Sequence, residues 1–213
     1  MEQPLRALVV AGAAVAVLAA VLRPRSRLVG RSLLSIGALT VVGAGMWIGA
    51  NSPRHTWFGA LVSNGPRDRR EVAITFDDGP NVTATLAIAS ILDAHHAKGT
   101  FFIVGKALDR RPDIAKRLLD DGHLLANHSY HHDYTSWLDP RYPELTMTQA
   151  SFRAHLGVCP AFYRPPHGQH TPLMAYDVHA NGMTMIGWDS SAGDWLAKDP
   201  KALARRILRH VQP

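Results

Sequence analysis

The 213-residue chain has a single cysteine, Cys159. One thiol forms no intramolecular disulfide and supports no cysteine-rich metal site. No internal repeat and no low-complexity tract is present, so no repeat array organises the chain. Acidic residues are in deficit, 17 Asp and Glu against 23 Lys and Arg, for a net charge of +6. That excess invites a nucleic-acid partner, but its position argues against one. Residues 1–54 hold Arg6, Arg23, Arg25, Arg27, Arg31 and Arg54 against Glu2, a local balance of +5 out of +6. The remainder carries about +1, too little for a basic binding face.

Long apolar runs are present, and both lie near the N-terminus. Residues 7–22 are an unbroken run of 16, and residues 33–50 a run of 18 softened by Ser35 and Thr40. A membrane helix needs roughly 20 apolar residues, with roughly 17 to 25 observed. Four arginines lie between the runs, Arg23, Arg25, Arg27 and Arg31. The positive-inside rule places that loop in the cytoplasm and both termini outside. Residues 1–50 are therefore expected to form two transmembrane helices, integral to the cytoplasmic membrane, with an extracytoplasmic domain. Residues 51–70, rich in turn formers, read as a linker.

From residue 71 onward, strand and helix patterns alternate. Strands are predicted at 71–76, 100–104, 123–126, 161–163 and 183–188. Helices are predicted at 83–96, 112–121, 144–156, 172–180 and 201–211. Pro112 opens one helix and Gly122 follows its end, a usual pairing of start and stop residues. Such alternation implies parallel βα units. Each polar cluster falls just after a strand: Asp77 and Asp78, then His128 to His132, then Arg164 to Gly168, then Asp189 to Trp195. That is the C-terminal rim, where sites of such folds collect.

The stretch EVAITFDDGP sets two adjacent carboxylates at a strand end. One can bind a cation while the other handles a proton. His128 and His132 are four apart and share a face if the segment makes a helical turn. Two histidines and one aspartate leave open positions on a metal, the pattern of a catalytic site. A bound divalent ion lowers the pKa of its water to roughly 7 and polarises a carbonyl. Arg164 is placed to hold the second aspartate ionised. The turn at Pro165 to Gly168 exposes backbone N–H groups for an oxyanion. Trp137 and Tyr142, in the loop after the histidines, are candidates for stacking on sugar rings. His131 lies off the face of the ligands. The set suits metal-assisted hydrolysis of an amide or ester.

TFDDGP, HSYHH, RPPHG and GDW, in this order, resemble the polysaccharide deacetylase family (carbohydrate esterase family 4, the NodB-homology domain). The likeness covers residues 71–213. It implies a distorted (β/α) barrel and removal of N-acetyl groups from an extracytoplasmic glycan, peptidoglycan or a chitin-like oligosaccharide. By the resemblance, Asp77 is the general base, and Asp78, His128 and His132 bind a divalent metal, Zn²⁺ before Co²⁺ or Ni²⁺. Ser129 steadies the histidine loop, Arg164 orients Asp77, and Asp194 tunes a catalytic histidine. Pro165, Pro166, His167 and Trp195 face the substrate, with Trp195 walling the acetyl pocket. Three departures stand out. His167 replaces a tyrosine, Ser191 replaces an aspartate, and a last strand carrying a His-Asp pair is not found after the final helix. The expectation is a barrel lacking its last strand, with a gap beside 183–188. Helix 201–211 still packs on it through Leu203, Ile207, Leu208 and Val211. Metal binding with little or no turnover is expected. The rival is a catalytically impaired glycan-binding or scaffold protein that retains the metal.

Overall fold

The computed structural model describes residues 27–136, 139 and 141–211. It divides into two compact units, Met1–Asn51 and Ser52–Pro213. In the first unit, helix α1 spans Arg27–Ala50. Thr40 returns its hydroxyl to the Ile36 carbonyl at 2.8 Å, and Asn51 closes the helix on the Trp47 carbonyl. Among the described residues, no helix is long and apolar enough to cross a membrane. The expected span over 33–50 lies in α1 and is not supported by it. The expected span over 7–22 lies outside the described residues.

The second unit is built on a parallel sheet of five strands in the order β1-β2-β3-β4-β5. These are β1 Thr75–Gly79, β2 Thr100–Ile103, β3 Leu124–Asn127, β4 Phe162–Tyr163 and β5 Thr184–Met185. The helices between them are α2 Thr85–Ala94, α3 Gly105–Arg110, α4 Pro112–Asp120, α5 Pro143–Leu156 and α6 Pro172–Ala180, and α7 Pro200–His210 follows. The α/β class and parallel order match the sequence reading of a distorted barrel lacking its last strand, and among the described residues the sheet does not close on itself. Residues 71–74 lie outside β1, because the pairing with β2 starts at Thr75↔Thr100. Val72 and Ile74 are consequently exposed. Helix α3 was not anticipated: six residues are too few for periodicity to register.

Side chains alternate across β2 and sort the core. Phe101 and Ile103 join Leu92, Leu108, Leu118 and Phe152 in one buried cluster. Phe102 points the other way, under the Arg164 guanidinium at 3.9 Å and edge-on to His128. A second cluster joins Leu145, Tyr163, Met174, Met183 and Met185 to Leu61.

Leu61 belongs to the stretch expected to be a linker. Instead that stretch is part of the domain. Val62 makes a parallel bridge to Ile186, donating to the Met185 carbonyl at 2.9 Å and accepting from the Gly187 N–H at 2.8 Å. The edge beside β5, where a gap was expected, thus carries residues from upstream of β1. Gly187 has no side chain because Pro53 runs directly over it; a Cβ there would collide with the Pro53 carbonyl. Arg54 donates to the Asp189 carbonyl, and Arg67 pairs with the Asp189 carboxylate at 2.8 Å. The expected docking of α7 is not observed. None of its residues is buried, and Leu208 is 73% exposed. Arg206 reaches back, donating to the Ala192 carbonyl at 2.7 Å. Cys159 is exposed, not packed.

Candidate active site

The bulge in β1 between Phe76 and Gly79 gives Asp77 and Asp78 different surroundings. Asp77 turns to Arg164, whose Nη1 donates to its Oδ1 at 2.7 Å and to Thr75 Oγ1 at 2.9 Å. Arg164 is buried, and its Nη2 donates to the Gly187 carbonyl at 3.0 Å. Burial lowers the guanidinium pKa, and the Asp77 charge opposes that shift. Asp78 turns to the histidines. Its Oδ1 lies 3.0 Å from His132 Nε2 and 3.5 Å from His128 Nε2. The neighbouring His128 imidazole, with the charges of His132 and His128, holds the Asp78 carboxyl below its ordinary value.

The ligand atoms of Asp78, His128 and His132 all lie within 4.8 Å of one another. Donors about 2.0–2.2 Å from a tetrahedral ion stand about 3.3–3.5 Å apart, so the spacing fits one cation. The second ring nitrogens agree. His128 Nδ1 lies 2.8 Å from the Arg164 carbonyl. A carbonyl only accepts, so Nδ1 carries a proton, and Nε2 is the ring nitrogen turned toward Asp78 and available to a cation. Burial, and then the neighbouring His128, lower the His132 pKa and favour its neutral, ligating form.

The histidine loop is not a helical turn. Ser129 (φ 65°) and His132 (φ 63°) are both left-handed. Ser129 Oγ accepts from the His132 N–H at 3.1 Å, and Asn127 Oδ1 accepts from the Ser129 N–H at 3.0 Å. Sequence reasoning missed Glu144. It opens α5 and is buried. Its Oε2 accepts from the N–H groups of Tyr130 and His131 at 3.0 and 2.6 Å, and its Oε1 lies 2.8 Å from His131 Nδ1. The available signal was an acidic residue just after Pro143, at a helix start. His131 therefore serves the loop through Glu144.

The RPPHG segment forms a short 3₁₀ turn, Pro166–Gly168, with His167 left-handed at φ 57°. Among the described residues the His167 backbone N–H has no acceptor, so it is open to an oxyanion. The His167 ring stands 4.6 Å from that of His132. Burial lowers its pKa. Pro165, which precedes this turn, and Pro166, which opens it, are both buried. Two expected residues are not drawn in. Asp194 is exposed, and its side chain has no partner among the described residues. Trp195 is 73% exposed and makes no ring contact among them. Of the two aromatic candidates for sugar contact, Trp137 lies outside the described residues. Tyr142 is buried and its hydroxyl meets that of Tyr163.

The polysaccharide deacetylase family model matches residues 64–186. A peptidoglycan-N-acetylglucosamine deacetylase of Bacillus cereus is 29% identical over 156 residues, covering 72% of this chain and 57% of its own length. The chain thus spans little more than half of that relative. The crystal structure of a peptidoglycan N-acetylglucosamine deacetylase superposes with a TM-score of 0.68 at 28% identity, covering 72% of each chain. A CE4 family pseudoenzyme from Bacillus anthracis superposes at 0.67 with 25% identity, covering 72% of this chain and 56% of its own. The four motifs, the parallel sheet that carries them and the matched span place this chain in the polysaccharide deacetylase family, carbohydrate esterase family 4.

Proposed function

We propose that the chain is a metal-dependent deacetylase of an N-acetylated glycan, peptidoglycan or a chitin-like oligosaccharide. The observation that carries this is the convergence of Asp78, His128 and His132 beside an Asp77 already paired with Arg164. A divalent cation, Zn²⁺ first and Co²⁺ or Ni²⁺ next, supplies Lewis-acid polarisation of the acetyl carbonyl and acidifies water there. Asp77 takes the proton of the attacking water. Arg164 aims Asp77 through their 2.7 Å contact, and its contacts to Phe102 and the Gly187 carbonyl keep Arg164 in place. The His167 N–H is available to the developing oxyanion.

One step has no group assigned. Protonation of the leaving amine calls for an acid, and no imidazole stands beside Asp194 among the described residues. A general acid at that step contributes roughly 10²- to 10⁴-fold in rate. This same observation supports the second reading, a glycan-binding protein that retains metal without turnover. Acetate release from N-acetylglucosamine pentamer and from peptidoglycan fragments, with zinc and with chelator, separates the two. Slow, chelator-sensitive release supports the deacetylase. Binding without any release supports the rival.

The extracytoplasmic, membrane-anchored location rests on the sequence alone: the runs 7–22 and 33–50 and the arginines between them. A reporter fused after Gly65 is expected to be active only outside the cytoplasmic membrane. Cytoplasmic activity would reverse the topology.

A further inference from the structure

Tyr134 combines exposure with a ring contact. Its side chain is 70% exposed. Its ring nevertheless lies flat on the His167 imidazole, with centroids 3.8 Å apart and planes 3° apart. His167 stands 4.6 Å from His132, and His132 stands 4.9 Å from His128. A ladder of rings therefore runs from the candidate metal site out to Tyr134. The inner rung, His167, has a left-handed backbone, and its ring packs between those of His132 and Tyr134. One face of Tyr134 is covered by His167, and the other meets solvent. Its hydroxyl has no partner among the described residues.

A pyranose ring presents C–H groups on its faces and hydroxyls around its rim. A flat aromatic face with a polar tip complements that pattern. A ring already held in one pose also loses little freedom when a ligand covers it. Of the other described aromatic candidates, Tyr142 is buried, and Trp195 is exposed with no ring contact. We propose that Tyr134, braced by His167, is a sugar-stacking platform that takes an N-acetylated hexosamine ring next to the sugar whose acetamide reaches Asp77. This rests on the deacetylase reading for the identity of the ligand.

The test is calorimetric titration of the zinc-loaded 213-residue chain with N-acetylglucosamine pentamer and with the monomer. Tyr134→Ala is expected to weaken pentamer binding about 3- to 10-fold. It should leave zinc stoichiometry at the parent value, which reports an intact fold. Tyr134→Phe and Tyr134→Trp keep an aromatic face and are expected to stay within about 3-fold of the parent. Equal pentamer affinity in Tyr134→Ala and the parent would overturn the platform alone. So would a Tyr134→Phe variant as weak as Tyr134→Ala, which would make the hydroxyl the contact. Absence of glycan binding by the parent chain would overturn the glycan reading, and the platform with it.

Discussion

Four non-glycine residues of the candidate site have left-handed backbone: Asp78 (φ 65°), Ser129 (φ 65°), His132 (φ 63°) and His167 (φ 57°). Each such residue costs about 1–3 kcal/mol and persists only where its surroundings hold it. Asp and His tolerate this region better than most types, and Ser129 is held by bonds on both sides. Glu144 is the buried anchor of the same loop, with three contacts to Tyr130 and His131. Glu144→Gln supplies one acceptor oxygen in place of two. Metal affinity is expected to fall about 10- to 100-fold, read by competition with a zinc-binding dye; an unchanged affinity would deny Glu144 that role. The pH response of the metal-free chain follows from three histidines. Burial lowers the pKa values of His132, His167 and His170 from the ordinary 6.5. Below pH 6.5 the unfolded chain then binds protons that the folded chain does not. Stability is present above pH 6.5 and is lost as the pH falls through the window beneath it. The urea midpoint is expected to be lower at pH 5.5 than at pH 7.5, and a rise would contradict the assignment. The types and order of the site residues were legible in the motifs. The left-handed turns were not, since spacing four apart reads equally as a helix, and Glu144 carries no motif at all.

At the scale of elements, what was legible depended on whether the signal was local. Helix α6 starts at Pro172 and is capped by Thr171, whose side chain accepts from the Met174 N–H at 3.2 Å. Its bounds agree with the sequence reading because a cap and an N-terminal proline are local. Strands are defined by partners. Residues 183–188 read as one strand, yet only Thr184 and Met185 pair with β4, and Ile186 pairs with Val62. The apolar character of Leu61 and Val62 suggested packing on the membrane surface or on the domain, but an aperiodic stretch of turn formers did not reveal that they close that edge. Conversely, the amphipathic pattern of α7 suggested a packed helix that the structure leaves exposed. Leu61→Ala is therefore expected to cost about 2–5 kcal/mol, as for a core leucine. Leu208→Ala should stay within about 0.5 kcal/mol. Urea unfolding of both variants checks the pair. Equal effects would mean that residues 51–70 are a linker after all, or that α7 docks.

At the scale of the molecule, the charge balance agrees with a site in the second unit that is not a polyanion-binding surface. The excess of +5 lies in residues 1–54, while the candidate site gathers carboxylates and imidazoles around one buried guanidinium. The family resemblance supplied what geometry alone leaves open, namely which aspartate is the base. The structure gives that choice a physical form. Asp77 is tied to Arg164 at 2.7 Å, and Asp78 lies 3.0 Å from His132. The most direct measurement is acetate release by Asp77→Asn and by the parent chain, both loaded to one zinc per chain. The account predicts that Asp77→Asn keeps its zinc and its glycan affinity but loses the acetate release of the parent. An Asp77→Asn variant that releases acetate at the parent rate, or a parent chain that holds zinc and glycan without releasing any, would contradict it.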